Sequence, residues 1–432
     1  MRAPALRFAL IVGAALVLGS GCSSMQGLAP TLELTTATLP TTSAATISAA
    51  ISEPVQLGQP LQITADGGRL AEVSITGPKG AVAGDFSADG RTWIAENNAL
   101  KYGTVYLVRA RAVDTRGVPV ETTSSFRTVD PSELFSGQVS PENGAVVGVG
   151  TPITVTFDRA IRDRAAVENA LVVRTPTPIE GAWSWKSPTT VVFRPAEYWP
   201  SNIAVQVDLN LMGVRAKRGV FGESNISSSF TTGVSMVTKV NALTHTAEVY
   251  RDGTLIRTIP VTTGKPGFET RSGIVVITTK ETSRVMDAAT GGTDRSDPEY
   301  YRILVRHAMR ITTSGAFLHG APWSEGSQGR ANVSHGCIGM SSANAEWLFD
   351  QSSLGDVVEI TGTSIPQNLG NGVTVWTEAW SQWLANSATG AHWTTADLGL
   401  ATSTTAELPN GSATPIATTS AMPSASASRP AA

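Results

Sequence analysis

Residues 314–340 read SGAFLHGAPWSEGSQGRANVSHGCIGM, and they gather two of the chain's five histidines, His319 and His335, around the thiol of Cys337. A cysteine nucleophile needs a base to take or share its proton, and that base needs a group to orient its ring. Gly336 adds a tight backbone turn through which the amides of Gly336 and Cys337 can converge on a developing oxyanion. Thiol, imidazole and turned backbone together point to acyl transfer through a thioester. Two plainer readings fit the same residues. One is a buried, inert cysteine beside a satisfied core histidine. The other is zinc, although one cysteine and two histidines supply three ligands where structural sites hold four.

The only other cysteine is Cys22. Ahead of it, Arg2 and Arg7 precede the apolar run Phe8–Leu18 and then Gly19-Ser20-Gly21. This pattern predicts a secretory signal over 1–21, too short to span a hydrocarbon core of about 30 Å. Small residues before Cys22 are similar to the lipobox of bacterial lipoproteins, in which the cysteine is acylated, although Gly19 stands where an apolar residue is usual. A lipidated Cys22 cannot be a disulfide partner, so Cys337 is a free thiol in an exported protein, either buried and inert or kept for its chemistry. The expected location is the cell envelope, lipid-anchored at the outer face of the cytoplasmic membrane. With 32 Lys+Arg against 35 Asp+Glu, the net charge of −3 argues against a nucleic-acid partner. Only 16% of residues are charged, and 41 Gly and 24 Pro fit a strand-rich secreted chain.

Outward from the central stretch, the chain divides by texture. Residues 22–45 and 399–432 are rich in Thr, Ala, Ser and Pro, which predicts a flexible linker and a disordered tail. Short β-rich runs at 61–64, 104–110, 153–157 and 203–209 predict two tandem immunoglobulin-like sandwiches, over 46–130 and 131–233. A weak repeat joins them: Thr104–Val108 followed by Phe126 corresponds to Asn202–Gln206 followed by Phe230. Trp93, Trp183 and Trp185 fit sandwich cores. A third domain, 234–363, has strands predicted at 237–240, 246–250, 254–262, 273–279 and 357–361, with an Asp252-Gly253 hairpin turn. A helix is predicted over 342–352, capped by Ser342. The extension 364–398 places Trp376, Trp380 and Trp383 on one side of a helix over 376–384, packed onto the preceding domain.

The central stretch resembles the L,D-transpeptidases with a YkuD-like catalytic domain, in particular the multidomain lipoprotein type of mycobacteria. That family carries a His, a gap of 14 to 17 residues, then Ser/Thr-His-Gly-Cys. Here fourteen residues separate His319 from Ser334-His335-Gly336-Cys337. The resemblance extends through Tyr301-Arg302, Ser314-Gly315, Ala321–Ser324, Gln328-Gly329 and Ser341–Trp347. It implies a mainly β fold, with two sandwiches, a β-rich catalytic domain and a short helical extension. It also implies Cys337 as nucleophile, His319 as general base, the Gly320 carbonyl as orienter of the imidazole, and His335 as a supporting residue. Tyr301, Ser314, Gly315, Trp323, Ser334, Met286 with Asp287, and Gly339 would line or border the substrate pocket. The implied partners are peptidoglycan stem peptides and carbapenems, with no cofactor.

Three departures stand out. Gly339 occupies the position two after the cysteine, where the family has Asn or Arg. Gly320 replaces a Ser, which costs only a side chain. The stretch Gly213–Gly219 is basic where some relatives have an acidic cation-holding loop, so no metal site is expected. The implied activity is 3→3 cross-linking with release of D-Ala. An L,D-carboxypeptidase using water, or a non-catalytic wall-binding lipoprotein, remain alternatives.

Overall fold

The computed structural model describes residues 45–49, 54–96, 99–390 and 393–397. The expected signal over 1–21, Cys22, the linker up to residue 44 and the tail 399–432 lie outside the described residues.

The fold is mainly β. In the first sandwich, Thr46–Ala49, Gln62–Asp66, Thr92–Ala95 and Gly84–Phe86 form one sheet, and Gly80–Ala81, Gly68–Gly77, Val105–Asp114 and Pro119–Arg127 the other. Alternation decides which face is core: Tyr106, Val108, Ala110 and Ala112 of one strand point inward to meet Ile63, Ile75, Trp93 and Phe126. The second sandwich pairs a sheet containing Gly137–Ser140, Ile153–Phe157, Thr190–Pro195 and Glu180–Ser187 with one containing Val146–Val147, Asn225–Thr232, Ala204–Asn210 and Leu171–Thr175. Trp183, Trp185, Phe193 and Trp199 fill its core. The strands of the internal repeat pair antiparallel in both sandwiches, but one residue out of the repeat's own alignment: Tyr106 lies opposite Phe126, while its counterpart Ala204 lies opposite Thr231 and Val205 opposite Phe230.

The third region holds two sheets. One is ordered Thr254–Pro260, Thr246–Arg251, Met236–Asn241, Val357–Thr361, Gly273–Val276; the other is Thr279–Asp287, Arg302–Arg310, Phe317–Gly320, Ile338–Met340. The turn between the first two strands has positive φ at both Asp252 (45°) and Gly253 (77°), as an Asp-Gly hairpin requires. Val240, Val249, Val275, Leu318, Ile338, Ala345 and Leu348 form the shared core. Three sequence expectations need correction. The strand expected over 273–279 ends at Val276, because Ile277 and Thr278 carry the chain from one sheet to the other, their amides donating to Asp356 O and Arg310 O. Helix Ser342–Gln351 is capped by Ser341, whose hydroxyl accepts from Asn344 N, and not by Ser342.

The third correction concerns the extension. Its helix is Trp380–Ala385, so Trp376 precedes it. The tryptophans leave the third region and dock on the second sandwich: Trp383 packs with Ala182 and Val192 and donates to Ala182 O, while Trp376 donates to Gly150 O. Trp393–Thr394 then adds to the edge strand Glu180–Ser187, and Ala396–Asp397 to Leu171–Thr175. The extension thus straps both sheets of the second sandwich.

Candidate active site

Two adjacent parallel strands position His319 and Cys337. His319 lies on Phe317–Gly320, and Cys337 immediately precedes Ile338–Met340, with His319 in register with Gly339. Between them, the turn Ser334–Cys337 is pinned from several sides. Ser334 Oγ donates to Cys337 O (2.6 Å), Thr270 Oγ1 donates to Gly336 O (2.9 Å), and Asn332 Oδ1 accepts from Thr263 N (3.1 Å). Gly336 has φ of 112°, a conformation that L side chains rarely adopt. Its amide donates to Ser334 Oγ (3.2 Å), so it is engaged in the turn and is not directed at an oxyanion as the sequence suggested.

Cys337 and His319 line one cavity of about 350 Å³ with Met286, Tyr301, Ile303 and Val305 on its apolar side. Thr262, Ser324, Ser327 and Ser334 add hydroxyl-bearing residues to the lining. The imidazole Nδ1–H of His319 donates to the Gly320 carbonyl (2.8 Å), which leaves Nε2 as the basic nitrogen. Trp323, 54% exposed, stacks over that ring at 6.0 Å between centroids. Cys337 is 8% exposed among Met286, Val305, Ala308 and Phe317. Burial pushes its thiol up to about 11, against the smaller downward pulls of a backbone hydrogen bond at Phe317 and the Arg310 charge. Burial also lowers His319 below the ordinary imidazole value, the Gly320 bond opposing it. The resting pair is therefore a neutral thiol and a neutral imidazole, and the thiol faces the Gly315 carbonyl at 3.9 Å.

His335 lines the same cavity, its ring between Phe268 (4.7 Å) and Tyr301 (4.8 Å). Trp323, Ser334, Met286 and Gly339 line it as well. Ser314 does not: its amide and hydroxyl are bonded to Asn371 of the extension, 2.9 Å each. Gly315 contributes its carbonyl beside the thiol and not a pocket wall. Asp287 turns away to accept from Ala289 N (3.0 Å). Sequence reasoning missed Thr262, Ile303 and Val305, which are ordinary strand residues until the sheets are assembled. It also missed Glu299, which lies 2.7 Å from His335 Nε2 and pairs with Lys265, since these charges carry no local pattern.

Two family profiles match the chain. The L,D-transpeptidase catalytic domain profile (YkuD) matches residues 236–360, and a bacterial Ig domain profile matches residues 52–215. L,D-transpeptidase 2 of Mycobacterium tuberculosis is 36% identical over 338 residues, covering 77% of this chain and 82% of that protein. L,D-transpeptidase 5 of the same species is 34% identical over 338 residues, covering 76% and 73%. A solved L,D-transpeptidase in complex with imipenem has 38% identity and a TM-score of 0.46, covering 52% of this chain and 97% of that one.

Proposed function

We propose, from the premise that this chain belongs to the L,D-transpeptidase family, that it forms 3→3 cross-links between peptidoglycan stem peptides through a thioester on Cys337. The observation that carries this reading is the shared cavity of Cys337 and His319, with the imidazole oriented by the Gly320 carbonyl.

Because thiol and imidazole are both neutral at rest, proton transfer accompanies attack. His319 Nε2 takes the thiol proton as Sγ adds to the carbonyl between the third residue of a tetrapeptide stem, a diamino acid, and its terminal D-Ala. The C–N bond then breaks, and the departing D-Ala amine takes that proton from His319. In the second half, the side-chain amine of another stem attacks the thioester and gives its proton to Nε2. The new C–N bond forms, the C–S bond breaks, and the proton returns to the sulfur. Low exposure of both groups supports acyl transfer to an amine by limiting water, the competing acceptor. The amide of Cys337 is the backbone donor nearest the reacting sulfur in sequence, and we assign it to the oxyanion.

The same cavity, with the β-lactam carbonyl in place of the stem amide, is proposed to be acylated by carbapenems. Export by the signal over 1–21 and lipidation at Cys22 complete the reading and put the site in the envelope. Incubation of the full chain with disaccharide-tetrapeptide should yield a dimer lacking one D-Ala, and Cys337→Ala and His319→Ala should each lose more than about a hundredfold in rate. Hydrolysis to tripeptide without dimer would instead identify a carboxypeptidase. Unchanged substrate with the wild-type chain would favour a wall-binding role.

A further inference from the structure

The loop joining the strands Thr279–Asp287 and Arg302–Arg310 is flanked by Met286 and Tyr301, which line the cavity, and its polar contacts are almost all with itself. Ser296 N and Oγ donate to Asp294 Oδ1 (2.8 and 2.7 Å), Glu299 N donates to Asp297 Oδ1 (2.8 Å), and Tyr300 N donates to Asp297 O (2.9 Å). Among the described residues, one side chain of 288–300 makes hydrogen bonds or ion pairs beyond the loop and its strand ends. That side chain is Glu299. Its Oε2 accepts from Lys265 Nζ at 2.5 Å and lies 2.7 Å from His335 Nε2.

Both partners belong to the surroundings of the reacting turn. His335 precedes Gly336-Cys337 directly, and Lys265 N donates to Ser334 O (2.9 Å). The His335 ring also packs on Tyr301, the cavity-lining residue two places after Glu299. Lys265 first, and His335 second, hold the Glu299 carboxyl below its ordinary range, so the loop carries a charge at neutral pH. A part-exposed pair of this kind adds little to global stability. As the one polar side-chain tether, among the described residues, of a loop that otherwise hydrogen-bonds to itself, it acts locally.

We propose that Glu299 is a positioning residue, whose carboxylate, held by Lys265 and His335, latches the loop to the reacting turn and keeps the flanking Tyr301 and Met286 in the wall that receives the donor stem. This rests on the transpeptidase reading above. Removing the latch impairs capture of the donor and leaves the thiol itself unaltered.

The test uses the full chain as wild type, Glu299→Ala and Glu299→Gln, with three readouts: hydrogen exchange over 288–300, KM and kcat for tetrapeptide dimerisation, and alkylation of Cys337 by iodoacetamide. For Glu299→Ala the expected result is faster exchange confined to 288–300. With it come a donor KM raised about tenfold, as for loss of charged hydrogen bonds, kcat within about twofold, and alkylation as fast as wild type or faster. Glu299→Gln, which keeps an oxygen for both partners, should fall between. Unchanged exchange, or unchanged KM, would overturn the proposal. So would alkylation slowing in step with turnover, since Glu299 would then act on the thiol through His335. If the wild-type chain makes no dimer, the transpeptidase reading fails, and the exchange measurement still decides whether the latch exists.

Discussion

Gly339 illustrates how one residue can be read correctly as unusual and still not be explained by sequence. Its strand bonds to two neighbours: it is in register with His319 on one side and exchanges amide hydrogen bonds with Thr262 on the other, 2.9 Å each. A Cβ at this position would lie 3.0 Å from Ala321 Cβ and 3.1 Å from Thr262 Cγ2, so the space that the family gives to a side chain is filled here from the neighbouring segments. Gly339→Ala should therefore destabilise by about 1–3 kcal/mol through overpacking, and adding Thr262→Ser, which removes the crowding methyl, should recover part of it. Urea melts of the single and double variants measure this, and strictly additive effects would contradict it. That Cys337 and His319 come together, and that the Gly320 carbonyl orients the imidazole, was legible because all three lie within one short stretch. Ser314 was misplaced because its partner, Asn371, is far along the chain and no local pattern announces it.

Elements were legible in proportion to how local their causes are. The Asp252-Gly253 turn, the strand Val357–Thr361 and the helix at 342 follow from turn chemistry and periodicity, and they occur where expected. The C-terminal segment kept its helical spacing of tryptophans but formed a shorter helix, since Trp376 is drawn out to bond Gly150 O and to meet the Tyr198 ring at 4.8 Å. Trp383, fully buried against the second sandwich, should anchor the strap. Trp383→Ala is expected to cost about 3–5 kcal/mol and to increase proteolysis after residue 376, with the cavity lined by Cys337 and His319 intact. Wild-type protease resistance in that variant would show that the added strands hold the segment without the helix.

Across the whole molecule, the second sandwich and the catalytic region meet at a seam where Gly148 N donates to Leu354 O (2.7 Å) and Gly150 N to Gly355 O (2.9 Å). Next to this seam, Asp356 is buried, and burial raises its carboxyl to about 7, the Ser353 amide and Lys280 opposing the shift. The folded chain thus keeps a proton that the unfolded chain releases near pH 4. This contribution is complete below about pH 4 and is lost as pH rises to about 7. Asn at 356 cannot ionise, so Asp356→Asn should gain in melting temperature relative to wild type between pH 5 and pH 8, and parallel curves would contradict the assignment. No sequence signal pointed to this group, because its environment exists only when two regions pack together. The measurement that tests the central claim most directly is intact mass of the full chain after incubation with a carbapenem, beside Cys337→Ala. Opening of the lactam expels nothing, so the account predicts a gain of one whole drug molecule on the wild type and none on the variant. A wild-type chain that stays unmodified, or a variant that is modified equally, would contradict acyl transfer at Cys337.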